Sequence, residues 1–157
     1  MYTDTTLTPF HFFLDYEYDV FLSFADEDRV FVTKNVYIPL KCKGYSIFWH
    51  YEHFRPGIGI TENIQCAVRM SRRTVFVCTK YFSQSEFCLQ ELAYCLDVQR
   101  REKMRRIIPI VVEEDFCPKE LMGFNQIRVR QNCDMNSEEV EAFIVKLNLG
   151  MLRKLKG

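Results

Sequence analysis

The chain lacks most of the signatures that would assign it a chemistry on sight. It has no G-x-x-x-x-G-K or G-x-G-x-x-G loop to cradle phosphates and no G-x-S-x-G turn to raise a nucleophilic serine. Histidine is scarce: His11, His50 and His53 do not suggest a triad, and the last two lack the further ligands a metal needs. They are read as solvated loop residues. The seven cysteines form no C-x-x-C and no Cys/His cluster at zinc spacing. An odd number of thiols, several on apolar faces, suits a reducing, cytoplasmic setting. No charge of one sign dominates, since 21 Lys and Arg balance 21 Asp and Glu, which argues against a dedicated nucleic-acid binder. No apolar run reaches the length of a membrane span, so membrane association is expected only through an attached receptor segment. Pro9–Leu14 is too short for a signal peptide. Repeats, low-complexity tracts and linkers are missing as well.

What remains is a globular composition, 48% hydrophobic and 15% aromatic, over 157 residues, enough for one domain with a real core. Residues 1–16 read as an arm, whose Phe10, Phe12, Phe13 and Leu14 would cover a core edge, and 17–157 as the domain. Five short apolar runs alternate with helical patterns. They are Asp19–Phe24, Tyr45–Trp49, Thr74–Thr79, Ile107–Val112 and, weakly, Gln126–Val129. Continuous rather than alternating runs predict strands buried on both faces, and the alternation with helices predicts a parallel sheet with right-handed crossovers. The expected fold is a three-layer α/β sandwich of the flavodoxin-like kind, strand order 2-1-3-4-5. Helices are predicted from Asp26 or Asp28 to Gly44, with Pro39 kinking or interrupting it, from Thr61 to Ser71, from Ser85 to Arg101, and from Asn136 onward. The last would bury Val140, Phe143, Ile144, Leu147 and Met151. Residues 113–125 read as loop with one turn at most. Pro109 inside a buried strand predicts a bulge or a gap in the ladder.

In such a sheet ligands bind at the carboxyl ends of the strands, beside the switch in strand order. Three loops should converge there: Phe24–Asp28, Lys80–Gln84, and the long aromatic stretch HYEHFRPGIGITENI at 50–64. A strand-to-helix connection needs only a few residues, so the last is unusually long. The third long helix starts at the lip of this cleft. Its wheel puts Cys88, Leu89, Leu92, Cys95 and Leu96 in the core and Glu91 at the core's border, a turn from Phe87. A carboxylate partly withdrawn from water in a cleft is a candidate catalytic group. The alternative is a structural glutamate bonded to an amide or an arginine, and spacing alone weighs toward that. The basic run Arg100–Arg106 is read as solvated charge complementing the helix dipole, with an interface or an anionic lipid as the sharper alternative.

Taken in order, Tyr18–Phe24 (YDVFLSF), Ala25–Asp28 (ADED), Phe54–Gly57 (FRPG) and Ser85–Leu92 (SEFCLQEL) resemble a TIR (Toll/interleukin-1 receptor) domain over roughly residues 17 to 147. The resemblance implies a flavodoxin-like fold and a signalling role, innate-immune in type, through assembly with other TIR domains or copies of itself. The quoted stretch resembles the family's BB loop. Tyr51, Phe54, Arg55, Pro56, Gly57 and Ile58 then become candidate interface residues. A proline in an exposed loop lowers the entropy lost on docking. A second branch of the family cleaves the nicotinamide–ribose bond of NAD with a glutamate at the position of Glu91. That branch implies Glu91 as a candidate catalytic residue, Phe24, Ala25, Asp26, Trp49 and Phe87 as candidate substrate contacts, and NAD as substrate, with no cofactor. Phe87 stands where plant members carry Trp.

Overall fold

The computed structural model describes residues 16–112, 117–129, 138, 141–143 and 145–147. Residues 1–15 of the expected arm at 1–16, the predicted cap at Asn136 and Glu139, and Val140, Ile144 and Met151 lie outside these residues.

Continuous runs of β-branched and aromatic residues form the parallel sheet: β1 (Tyr18–Ser23), β2 (Ile47–Phe48), β3 (Ser71–Cys78), β4 (Ile107–Val112) and β5 (Ile127–Val129). The order is β2-β1-β3-β4-β5, so strand order switches between β1 and β3. The alternate residues of each strand feed two separate cores. One holds Val20, Leu22, Val75, Val77, Ile108 and Ile110 with Val32, Val36 and Leu40 of the first helix, and with Phe143 and Leu147. The other holds Phe21, Phe76, Cys78 and Val111 against Ala67, Val68, Leu92 and Cys95. Buried faces on both sides of one sheet make the three layers.

The first helical stretch, α1, covers residues 26–42. It opens with a 3₁₀ turn (Asp26–Asp28), runs as α-helix (Arg29–Val32), widens to a π turn (Thr33–Tyr37), and resumes as α-helix (Ile38–Cys42). The interruption falls just before Pro39, which cannot donate to the carbonyl four residues back, and the wider turn accommodates that misfit. Gly44, at φ +93°, ends the stretch in the left-handed region. A short helix α2 (His50–His53) follows β2, α3 covers Ile60–Met70, and α4 covers Glu86–Glu102. Ser85 caps α4, its Oγ accepting from the Cys88 N–H at 3.2 Å. Residues 119–121 form a single 3₁₀ turn in the otherwise irregular region before β5.

Several expectations need correction. β2 is shorter than the apolar run suggests. The Asp19 carboxylate accepts from the Ser46 N–H (2.9 Å), and the Ser46 carbonyl accepts from the Asp19 and Val20 N–H groups, so the side chain and backbone at 45–46 serve the edge instead. β3 starts three residues earlier than predicted, at polar Ser71, paired with Tyr18. The predicted bulge at Pro109 is absent. Register runs unbroken from Thr74↔Ile107 to Cys78↔Val111. Pairing with β5 begins only at Ile110, so Pro109 has a described strand on one side alone. The buried face of α4 is Cys88, Glu91, Leu92, Cys95 and Val98, while Leu89 is 41% exposed. The helix is rotated so that Glu91, and not Leu89, points inward.

Candidate functional site

The carboxyl ends of β1, β2 and β3 bring the three loops together as the topology requires. Phe24, the first residue beyond β1, is buried among Trp49, His50 and Tyr51, with ring centroids 5.1 to 6.0 Å away. The Tyr51 hydroxyl donates to Asp26 Oδ1, and the Arg29 guanidinium lies 3.8 Å above the Tyr51 ring. Burial, then the hydrogen bond to Asp26, raises the Tyr51 pKa well above that of free tyrosine. The third loop is tied in by Thr79, whose hydroxyl donates to Asp28 Oδ2 (2.5 Å) and accepts from the Tyr81 and Phe82 N–H groups. Asp28 is buried, which raises its pKa, and the Thr79 bond opposes that shift.

His50 and His53 are not solvated loop residues. Both are half-buried in the aromatic cluster. His53 Nδ1 lies 2.9 Å from the Trp49 backbone nitrogen and 3.0 Å from the Trp49 carbonyl oxygen, so the ring is held against the start of its own helix. Burial lowers the His50 pKa. Among the described residues no group of His, Cys, Asp and Glu could hold a metal ion.

Beyond α2 the chain projects. Arg55, Pro56 and Gly57 are exposed, and Phe54 and Ile58 are half-buried. Proline followed by Gly57 at φ +85°, with the Ile58 N–H reaching the Arg55 carbonyl at 3.4 Å, is the pattern of a type II turn. A side chain at 57 would be strained by that φ although no atom lies in its way. The turn is held from beneath by Asn63, on the first turn of α3 and almost fully buried. The Arg55 N–H donates to Asn63 Oδ1 (2.9 Å), and Asn63 Nδ2 donates to the Arg55 and Ile58 carbonyls (3.2 and 3.4 Å). Phe54 packs inward toward Phe21 and Phe48 (6.4 and 6.0 Å). The projecting tip is therefore a rigid turn, clamped at its base. Sequence reasoning missed Asn63. Its signal is a short amide side chain in the first turn of the helix that follows a Pro-Gly pair.

Glu91 sits deeper than the core's border, only 4% exposed. Its Oε1 accepts from the Ser23 hydroxyl at the end of β1 (2.5 Å). Burial pushes its pKa to about 8, with the Ser23 bond opposing, so the carboxyl is largely protonated at neutral pH. Nearby Cys88 is also buried, its thiol pushed up to about 12. Of the other residues assigned to this region, Phe24, Ala25 and Trp49 are buried, Asp26 is exposed, and Phe87 is 47% exposed on the outer side of α4. Phe24, Trp49 and Asp26 gather around Tyr51, whereas Phe87 stands apart from Glu91's buried face.

A doubly wound parallel sheet with a clamped, exposed turn beyond its second strand defines the class: a small α/β domain. The chain belongs to the TIR domain family, which it matches over residues 20–147. It is 37% identical over 79 residues to Toll-like receptor 4 of Pinctada imbricata, a match covering 50% of this chain and 9% of the receptor. It is 35% identical over 101 residues to Toll-like receptor 13 of Mus musculus, covering 62% of this chain and 10% of that one. The chain thus spans about a tenth of the length of these relatives. Among solved structures it is similar to the TIR domain of the Toll-related receptor TRR-2 of Hydra magnipapillata, with a TM-score of 0.70 and 26% identity over 85% of this chain and 98% of that one.

Proposed function

We propose that the chain is a signalling module that works by docking on other TIR domains, including copies of itself, through the turn at 55–58. The observation that carries this reading is the Asn63 clamp beneath an exposed Arg-Pro-Gly tip. An exposed loop loses conformational freedom on binding, and a turn already fixed by proline and three hydrogen bonds loses little. The similarity to Toll-like receptors supports an innate-immune setting and a cytoplasmic location for this segment. In a pull-down between two differently tagged copies, Pro56→His should abolish capture while the thermal midpoint stays near that of the unmodified chain. Equal capture by the variant would overturn the assignment of the loop.

A second reading is NAD cleavage assisted by Glu91. It draws on the placement of Glu91 beneath the end of β1, at the switch in strand order. Stabilising an oxocarbenium-like ribose requires an ionised carboxylate within reach of the sugar. In the arrangement described, Glu91 is covered and holds its proton, so this activity requires Glu91 to be uncovered and ionised as copies assemble. Release of nicotinamide by concentrated protein, lost in Glu91→Gln, tests it. No release under assembling conditions, or equal release by the variant, removes it.

A further inference from the structure

All strands of a parallel sheet begin at one end, and on this chain that end is crowded with cations. Arg72 and Arg73 lie at the start of β3, Arg105 and Arg106 just before β4, and α4 delivers Arg100 and Arg101 to the same rim. The chain as a whole carries no net charge, so this is local accumulation. Asp19 pairs with Arg72 (3.4 Å), and the other carboxylates at ion-pair distance are shared. Asp97 serves Arg101 (2.9 Å) and Arg100 (3.6 Å), and Glu102 serves Arg106 (2.9 Å) and Arg69 (3.9 Å). Lys103 and Arg105, both exposed, have no carboxylate at ion-pair distance among the described residues. Crowding is felt at buried Arg73, whose charged form is disfavoured by burial and then by Arg72, Arg105 and Arg106.

Arg106 does not share in this surface. It is buried, donating to the Val68 and Ser71 carbonyls (3.0 and 3.1 Å) as well as to Glu102, which corrects the reading of the whole run as solvated. Its Nη2 also donates to the Tyr16 hydroxyl (3.1 Å). Tyr16, the first described residue, therefore lies at the basic rim. Beside the cations lies an open concavity of about 670 Å³, with Leu96 and Met104 among its lining residues and Glu120 as its acidic member.

We propose that this rim, with Arg72, Arg100, Arg101, Lys103 and Arg105, is a peripheral docking surface for an anionic lipid bilayer. Arg100, Lys103 and Arg105 line the concavity, while Arg101 on the same helix end and Arg72 at the start of β3 lie outside its lining, so the positive charge extends beyond a pocket for a single phosphate. Basic side chains beside the apolar Leu96 and Met104 match the combined electrostatic and apolar attraction of a membrane interface. The turn at 55–58 follows the carboxyl end of β2 and so lies at the opposite end of the sheet, free to dock while the rim is held. The two surfaces are independent.

The test is co-sedimentation of the full chain with phosphatidylcholine vesicles, with and without about one quarter phosphatidylserine. The chain should pellet with the anionic vesicles only, and the binding should fall as salt shortens the screening length from about 8 Å to about 3 Å. Lys103→Glu/Arg105→Glu should weaken it at least about tenfold, since each basic residue near the surface contributes roughly fivefold. Lys80→Glu replaces an exposed cation at the other end of the sheet, outside the docking turn, and should bind as the unmodified chain does. Both exchanges replace exposed side chains and should leave the thermal midpoint unchanged. Equal pelleting with neutral vesicles, wild-type binding by the Lys103/Arg105 variant, equal losses in both variants, or capture by a polyglutamate resin with no vesicle binding would each overturn the proposal.

Discussion

Replacing Glu91 by Gln should stabilise the domain, and by an amount that grows with pH. The Glu91 carboxyl has its pKa moved from 4.5 to about 8, with burial as the main cause. In the unfolded chain the group ionises as pH rises through 4.5, while the folded chain keeps its proton until about 8. Between those values the folded state binds more protons than the unfolded one, so stability falls as pH rises. Below 4.5 both states are protonated and the group has no effect; above 8 both are ionised and the penalty is constant. At about 1.4 kcal/mol per pH unit, the loss is roughly 3 kcal/mol at pH 7. Gln keeps an oxygen to accept from Ser23 and has nothing to ionise. The variant and the unmodified chain should therefore have similar urea midpoints near pH 4.5. By pH 7 the variant should lead by about 3 kcal/mol, or about 10 °C in thermal midpoint. Comparing two variants at each pH cancels the other titrating groups. A gap that does not change with pH, or a variant less stable at pH 7, would refute the burial argument and reopen Glu91 as an ionised group in the resting domain.

Three further outcomes follow from the geometry. Asn63→Ala should lower stability by about 1–3 kcal/mol, because it leaves the partly buried Arg55 N–H without its acceptor, and should weaken pull-down as Pro56→His does; retained docking would mean the turn does not need its clamp. Arg106→Met should cost about 3 kcal/mol or more in urea unfolding, since the Val68 and Ser71 carbonyls lose their buried donor; a change below about 0.5 kcal/mol would contradict that role. Thiol reagents should modify exposed Cys42 and Cys66 in the folded chain and reach Cys78, Cys88 and Cys95 only on unfolding, because burial both shields those thiols and raises their pKa; equal rates at Cys66 and Cys88 would contradict the packing of α4.

The sheet was legible because its central strands are buried on both faces. Ile107–Val112 is apolar at every position, and its observed bounds match the run in the sequence. Where a strand is polar the pattern is silent. Ser71, Arg72 and Arg73 extend β3, held by pairing with β1, and nothing in their composition announces it. The rotation of α4 was hidden for a related reason. Hydrophobic spacing places Leu89 inside, but a neutral carboxyl bonded to Ser23 tolerates burial better than the spacing alone implies, so Glu91 takes the inner position. The convergence of the loops came from topology and was visible early. The devices that fix them were not, because Asn63, Thr79 and His53 act through a few side-chain hydrogen bonds at isolated positions, and such bonds leave no period in a sequence. Arg106 shows the same limit: one arginine in a basic run is buried, and only its carbonyl partners distinguish it from its exposed neighbours.

The most direct measurement is hydrogen exchange of the domain in dilute, unassociated form and again when assembled at high concentration. A peptide spanning residues 54–59 should exchange markedly more slowly in the assembled state, with less protection in Pro56→His at the same concentration. Assembly that leaves this peptide's exchange unchanged and protects other surfaces instead would contradict the assignment of the clamped turn as the docking element.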